Sequence, residues 1–559
     1  MSDPLTEEER TELMGKVRQR DTAPELVVRR ALTAMGRRYR INDKTLPGSP
    51  DITFRSRKKV IFVNGCFWHA HRDCRKFRIP KNNHGFWEEK FCENILRDKK
   101  NLAELNGRGF ESLVMWECEL TDMEVLANRL QSFLDSTVDQ DDTQNCPTLK
   151  FTKRDDSQPI ERRLKTGDTV ISIRRLVANG HNRPSCCSDP RDEFDQLLLR
   201  SLEKPDWNSG RTSVRVADIF AGCGGLSLGA AEACLALGIG FKPVLAMDSD
   251  PTCLTTYKNN FGPDRSDADD IRTVVNGELG KPLTRSERKL LLELRELDLL
   301  LAGPPCQGHS DLNNHTRRND TRNDLYVRVA RFAEVMRPAH ILIENVPTVV
   351  HAHDRSMQTT QNYLESLGYK TDGEIVDLSS LGVPQRRKRH VLIASLEKNV
   401  DVNAVINCYR VPNTRSVAWA IRDLEKIHST ALFDSASTSN DENRRRIDWL
   451  LKNDKYDLPN RLRPVCHQDG AHSYLSMYGR LRYDQPAQTI TTGFGSPGQG
   501  RYIHPSRRRT ITPHEGARLQ MFPDYFDFSN VERRGQLSRM IGNAVPMSLA
   551  QFFCLELLR

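Results

Sequence analysis

From Val214 onward the chain alternates short apolar runs with longer helical stretches. VRVADIF, KPVLAMDSD, LDLLLAG, HILIEN and RHVLIA are each the length of one strand. Runs this continuous have no polar face, so they predict strands buried on both sides in a parallel α/β sheet. Residues 1–135 show a second set of helical and strand patterns, dense in His, Cys and Trp. Between the two lie residues 136–210, polar and irregular, which read as a linker with a small helix before Pro205. No internal repeat is present.

Size and composition agree with several domains. At 559 residues two or three are expected. Charged residues make up 28% and the mean hydropathy is −0.59. No apolar run long enough to span a bilayer and no leader at MSDPLTEEER are expected, which predicts a soluble, cytoplasmic protein. Fourteen cysteines in such a chain suggest free thiols or metal ligands rather than a disulfide framework. The net charge of +9 is mild. Basic clusters at Arg386–Arg389, Arg444–Arg446 and Arg507–Arg509 lean toward a nucleic-acid partner only slightly.

The strand ends carry the candidate chemistry. The first strand runs into DIFAGCGGLSLGA, where Gly222, Gly224 and Gly225 allow a tight turn and a close backbone approach to a ligand at a helix N-terminus. Asp248 ends the next strand, placed to accept a ribose hydroxyl, and Asp270 in DADDIR is a candidate for an adenine amino group. A later strand ends in LLLAGPPCQGHS, residues 299–310. Pro304 and Pro305 stiffen its exit, because proline fixes φ and donates no hydrogen bond. Cys306 then stands on a rigid loop at a carboxyl edge, where open α/β sheets hold ligands. A lone cysteine is more often a buried core residue.

Taken in order, these motifs resemble the DNA cytosine-5 methyltransferases. FAGCGG, Pro304-Pro305-Cys306-Gln307, Glu344-Asn345-Val346, Gln385-x-Arg387-x-Arg389, RTITPHEGARLQMFP and GNAVP follow the family's unpermuted order from Val214 to Arg559. His309 stands where an aromatic is common, and Ile511 and His514 replace a usual Leu and Arg. The resemblance implies a Rossmann-like, S-adenosylmethionine-dependent domain. Its core would cover 211–396, its target-recognition region 397–485, and its closing motifs 486–559. Cys306 would attack cytosine C6 as a thiolate, which a free thiol with pKa ~8.5 supplies only sparingly at neutral pH. Glu344 would bond the base edge, Arg387 would hold the base oxygen, and Arg389 would brace the loop. Phe220, Gly222, Gly224, Gly225, Asp248, Asp270, Pro305 and Asn543 would line the cofactor site, with Gln307 and Gln385 on DNA. The target base would have to be flipped out of its duplex.

The N-terminal zone centres on VIFVNGCFWHAHRDC, residues 60–74. Cys66, His69, His71 and Cys74 are crowded beyond an apolar strand, and Cys118 follows another; such sets suit tetrahedral zinc. Glu25 lies on an amphipathic helix and Asp51 at a strand start, a sensible pairing for divalent-metal hydrolysis of a phosphodiester. DTxPE, LPGxPD, VIFVNGCFWH, FWxxK and WEC together resemble the very-short-patch repair endonucleases, which nick at thymine–guanine mismatches. The resemblance implies a restriction-endonuclease-like α/β domain over 1–135. Asp51 and the backbone near Val63 would hold magnesium, His69 would assist the water, and Glu25 would support the site. Zinc would fall to Cys66, His71, Cys74 and Cys118, with Asp98 a weaker candidate. Phe67 and Trp68 would wedge between base pairs. Val63 replaces a usual Thr and Asn64 a usual His.

The expected protein is therefore a monomer acting on double-stranded DNA, methylating cytosine and nicking the mismatch that deaminated 5-methylcytosine leaves. Mismatch-repair proteins are candidate partners, and no membrane is expected. Two other readings of the N-terminal zone remain: a restriction nuclease cutting unmethylated DNA, and a non-catalytic DNA-binding module.

Overall fold

The computed structural model describes residues 20–72, 74–135, 161–166, 169–174, 190–210, 212–305, 324–351, 355–427, 429–465, 468 and 476–559. Helix α1 (Ala23–Ala34) opens the N-terminal domain. Thr22 accepts from the Glu25 amide while the Glu25 carboxylate reaches back to the Thr22 amide, a capping box that fixes where the helix starts. Strands β1 (Arg40–Ile41), β2 (Ile52–Phe54) and β3 (Lys59–Asn64) follow, then α2 (His84–Gly107), β4 (Glu111–Trp116) and α3 (Met123–Asp135). The sheet order is β1-β2-β3-β4, antiparallel except for the β3–β4 pair. Long helix α2 makes that parallel crossover. Val28 and Leu32 of α1, Ile61 of β3, and Leu126 and Phe133 of α3 close one face.

The middle zone differs from the expected linker. Strands β5 (Glu161–Thr166) and β6 (Thr169–Arg174) form a hairpin. The helix Pro190–Leu199 buries Phe194, Leu198 and Leu199, together with Trp207, in the core of the C-terminal domain. Residues 190–210 thus belong to that domain, because their apolar positions have a surface to cover.

The C-terminal domain is built on seven strands. They are β7 (Ser213–Ile219), β8 (Gly240–Met247), β9 (Ser266–Asp267), β10 (Leu299–Ala302), β11 (His340–Asn345), β12 (Lys370–Asp377) and β14 (Lys388–Ser395), with β13 (Gln385–Arg386) outside the sheet. Their order is β12-β14-β11-β10-β7-β8-β9, and the pairs from β11 through β9 are parallel. Helices α4 (Gly225–Leu237), α5 (Pro251–Phe261), α6 (Arg285–Leu294) and α7 (Asp324–Met336) cross between these strands. Helix α8 (Met547–Leu558) returns from the chain's end to pack on α4. At Gly229 an added Cβ would lie 2.2 Å from the Met547 carbonyl, so glycine lets these helices meet. The segment Arg534–Leu558 is long and apolar enough to cross a membrane by composition, but 78% of its most apolar window is buried in the molecule. Pro546 separates its two helices.

The expected target-recognition region also divides differently. Val402, Val405, Val417 and Ile421 join the main core, whereas Ile447, Leu450, Leu458 and Ile503 form a small core of their own. Strand β15 (Ala487–Gln488) pairs with β13 and ties this region back. Much of the local basic charge is neutralised internally. Arg508 pairs with Asp448, Arg509 with Glu515, and Arg446 with Glu442.

Candidate functional sites

Parallel register assembles the first site. Ile219 of β7, Ala302 of β10 and Ile343 of β11 lie side by side, so three loops leave the sheet at one edge. These are FAGCGG, Gly303-Pro304-Pro305 and the turn after Glu344-Asn345. Cys306, Gln307 and His309 lie outside the described residues. The described strand exit before them is fixed: a Cβ on Gly303 would stand 3.7 Å from Glu344 Oε2, and the Asn345 side-chain amide donates to the Pro304 carbonyl at 3.4 Å. Glu344 is buried, and its Oε1 receives Arg389 Nε at 2.6 Å. An ionised carboxylate is costly to bury alone, so this ion pair holds Glu344 beside the strand exit.

The two arginines stand the other way round from expectation. Arg387 is buried, and its guanidinium donates to the carbonyls of Ile490 at 3.0 Å, Gly542 at 3.4 Å and Ala544 at 3.2 Å. It braces the GNAVP turn, while Arg389 is the one that reaches Glu344. Gln385, expected on DNA, is also internal. It donates to the Leu519 carbonyl at 2.7 Å and to Gln520, and accepts from the Ile490 amide. The one-in-two spacing of Gln385, Arg387 and Arg389 gave no sign of which arginine faces inward, because the chain leaves β13 for β14 between them.

On the neighbouring edge, Phe220 is left-handed at φ 67° and begins the turn into α4. The three glycines serve different ends. Gly222 (φ 53°) has open space where a Cβ would go, whereas at Gly224 a Cβ would fall 2.4 Å from the Phe261 ring. At Gly225 it would fall 2.3 Å from the Val545 carbonyl, so that glycine admits the GNAVP turn. The Asp248 carboxylate accepts the amides of Gly222 and Asp250, each at 2.8 Å, and burial raises its pKa. Asp270 caps the short helix Ile271–Val274 and pairs with Arg272 at 2.5 Å. Asn543 is exposed at the end of its helix. His514, the departure from arginine, sits between Asp434 at 2.8 Å and Asp524 at 2.9 Å. Burial alone would lower its pKa, but these carboxylates hold it above the usual value.

The second site lies at the carboxyl end of β3. Asp51 accepts the Val63 amide at 2.7 Å and faces the field of Glu25. Glu25 is buried at the start of α1, its carboxylate bonded to Thr22, Asp21 and Arg29. His69 meets Asp98 at 2.5 Å. Asp98 was ranked only as a weak zinc candidate; it lies outside the cysteine cluster and orients His69 instead. The i, i+4 pair Asn94 and Asp98 on α2 is the signal that could have shown this: Asn94 bonds the Trp68 carbonyl and Asp98 the next residue. Cys66, His71, Cys74 and Cys118 bring four ligand atoms within 4.8 Å of one another. His71 stacks on Trp116 at 4.1 Å. Asn64 is buried at the strand end. Phe67 meets Trp68, Trp87 and Phe91 edge-on at 5.2–5.4 Å, a half-buried cluster rather than two free wedges.

Comparison with known proteins agrees with both geometries. Residues 214–559 match the family profile "C-5 cytosine-specific DNA methylase", and residues 2–76 match "DNA mismatch endonuclease Vsr". The type II methyltransferase M1.BsuMI of Bacillus subtilis is 45% identical over 366 residues, 66% of this chain and 85% of its own. The type II nicking enzyme V.XorIIP of Xanthomonas oryzae pv. oryzae is 44% identical over 135 residues, 24% of this chain and 98% of its own. The mismatch endonuclease Vsr of Escherichia coli is 36% identical over 140 residues, 24% of this chain and 88% of its own. The chain belongs to both families. It is a cytosine-C5 methyltransferase fused to a Vsr-type nicking endonuclease.

The buried Asp51 carboxyl yields a pH prediction. Burial, followed by the charge of Glu25, raises Asp51 to about 6. A raised carboxylate favours folding below its unfolded pKa of about 3.9 and loses that contribution as pH climbs through 6. In magnesium-free buffer Asp51→Asn should therefore melt above the wild type at pH 8, and the gap should close toward pH 4. Thermal melts across that range measure it.

Proposed function

We propose that the C-terminal domain methylates cytosine C5 within one short duplex target. The nuclease domain then nicks the thymine–guanine mismatch left when a methylated cytosine deaminates. The observation that carries the first part is the Glu344–Arg389 ion pair held against the strand exit that leads to Cys306. The Cys306 thiolate adds to C6 of the flipped base, and the ring electrons move toward C5. Glu344 holds the N3 and exocyclic-amine edge of the ring as they do so, and Arg389 holds the base oxygen within reach of the same carboxylate. S-adenosylmethionine, when bound, supplies the electrophilic methyl. A base then takes the C5 proton, the C6–sulfur bond breaks, and the thiolate leaves. Gly222, open where a side chain would project, fits the backbone approach such a cofactor needs, and Asp248 is oriented toward the same loop by two amides.

In the nuclease, Asp51 has one oxygen on the Val63 amide and carries a charge that its buried setting disfavours. A divalent cation would relieve that cost, so Asp51 fits as the magnesium ligand with Val63 beside it. Bound magnesium supplies charge for the phosphate and for water activation. Asp98 fixes one ring nitrogen of His69, which leaves the other to handle the water proton. Zinc ligands at about 2.0–2.3 Å from the metal stand about 3.5 Å apart. Cys118 Sγ to His71 Nδ1 is 3.2 Å and Cys66 Sγ to His71 Nδ1 is 3.5 Å, so this set fits zinc.

Full-length variants test these assignments. Arg389→Ala should slow methyl transfer at saturating DNA by about a hundredfold, the usual cost of one aligned donor. Arg387→Ala should instead lower the melting temperature, because three carbonyls each lose a donor, with Gln520 still bonding those of Gly542 and Ala544. Asp51→Ala should eliminate nicking of mismatched duplex while methylation continues. Wild-type cutting of paired, unmethylated DNA without mismatch preference would favour a restriction nuclease, and no cutting of any duplex a binding module. Metal analysis should find about one zinc per chain, lost in Cys74→Ser together with stability of the N-terminal domain.

A further inference from the structure

The nuclease and methyltransferase domains share a built interface. Ala70, Phe91, Cys92 and Ile95 are buried in one apolar cluster with Leu290, Leu291 and Met336 of the methyltransferase. Lys99 on α2 is half-buried, and its ammonium donates to the carbonyls of Arg295 at 2.6 Å and Met336 at 2.7 Å. These carbonyls end α6 and α7, where the helix dipoles favour a cation.

Arg295 is held from the nuclease side twice. Lys99 takes its carbonyl, and its own guanidinium reaches across to the Ala70 carbonyl and lies 4.2 Å over the Phe77 ring. Ala70 stands between His69 and His71, and it is left-handed at φ 51°. That conformation costs an alanine about 1 kcal/mol and persists only where its surroundings impose it. Within the loop the His71 amide bonds the Cys66 carbonyl at 2.8 Å and the Ala70 amide bonds Phe67 at 3.2 Å. The remaining tie on the Ala70 peptide comes from Arg295. A cavity of about 450 Å³ lies beside it, lined in part by His69, Asp98, Lys99, Arg295 and Glu296.

We propose that Arg295 of the methyltransferase domain is a positioning residue of the nuclease. It holds the Ala70 peptide and thereby aims His69, so nicking by this chain depends on the docked methyltransferase. This rests on the reading of Asp51 and His69 as the nuclease centre. The test uses the full chain, with Arg295→Ala and Arg295→Lys beside the wild type and Asp51→Ala. Three quantities are read: single-turnover nicking of a mismatched duplex at saturating protein, affinity for that duplex, and amide hydrogen exchange of residues 65–74. Arg295→Ala should nick about ten- to a hundredfold more slowly with little change in affinity, and exchange faster in that loop. Arg295→Lys, which can still donate to Ala70, should recover part of both, and methyl transfer should not change. Unchanged exchange in the loop, or nicking as fast as or faster than wild type, would overturn the proposal. A wild-type chain that nicks nothing would overturn the nuclease reading and with it this role, even if the Ala variant loosened the loop.

Discussion

The in-register ends of β7, β10 and β11 are the constraint on which the methyltransferase site depends. Parallel pairing places Ile219, Ala302 and Ile343 in one row, so a one-residue slip in any strand would turn its outgoing loop to the other face. Everything beyond that row is secured by close approach. Gly225 admits the Val545 carbonyl, Arg387 ties three carbonyls of the closing motifs, and α8 lies on Gly229. The chain's last residues therefore complete a site whose strands were laid down more than two hundred residues earlier.

Many buried charges among the described residues are paired, and others are met by backbone or hydroxyl groups. Arg331 and Glu287 are both buried and meet at 2.7 Å, and Arg518 meets Asp524 at 2.5 Å. Such pairs fix geometry more than they add stability. Burial, and then the charge of Glu25, weakens the acidity of Asp51 despite the Val63 amide bonded to it. Asp218 is likewise raised by burial, with Ser227 as its hydroxyl donor and Tyr257 bonded to the same serine. Through Ser227 it ties the end of β7 to α4.

Much of this was legible in the sequence. Strand runs, the glycine turn and the order of motifs pointed to a parallel sheet, which holds for β7, β8, β10 and β11, whereas the RHVLIA run in β14 pairs antiparallel with β11 and β12. The crowding of Cys66, His69, His71 and Cys74, with Cys118, pointed to a cluster that the structure forms without His69. What the sequence hid was direction. Alternation would put Arg387 and Arg389 on one face, and they part because Arg387 lies in the break between β13 and β14. Gln385 looked polar yet is fully enclosed. Asp98 was misplaced because its partner stands 29 residues away, across a crossover helix. The small helix before Pro205 was legible, but the polar composition of 136–210 concealed that Phe194, Leu198 and Trp207 join the core of the C-terminal domain. Lys99 and Arg295 lie 196 residues apart, and no local pattern joins them.

The central claim is that the sheet edge presents Cys306 as the attacking thiol, with Glu344 and Arg389 holding the base. The most direct measurement is to incubate the wild-type chain with S-adenosylmethionine and target duplex carrying 5-fluorocytosine, then denature and map any adduct by peptide mass. Fluorine at C5 blocks the final proton loss, so the complex should survive denaturation and map to Cys306. A chain that methylates ordinary target yet leaves no adduct on the fluorinated duplex, or carries it on another residue, would contradict the account.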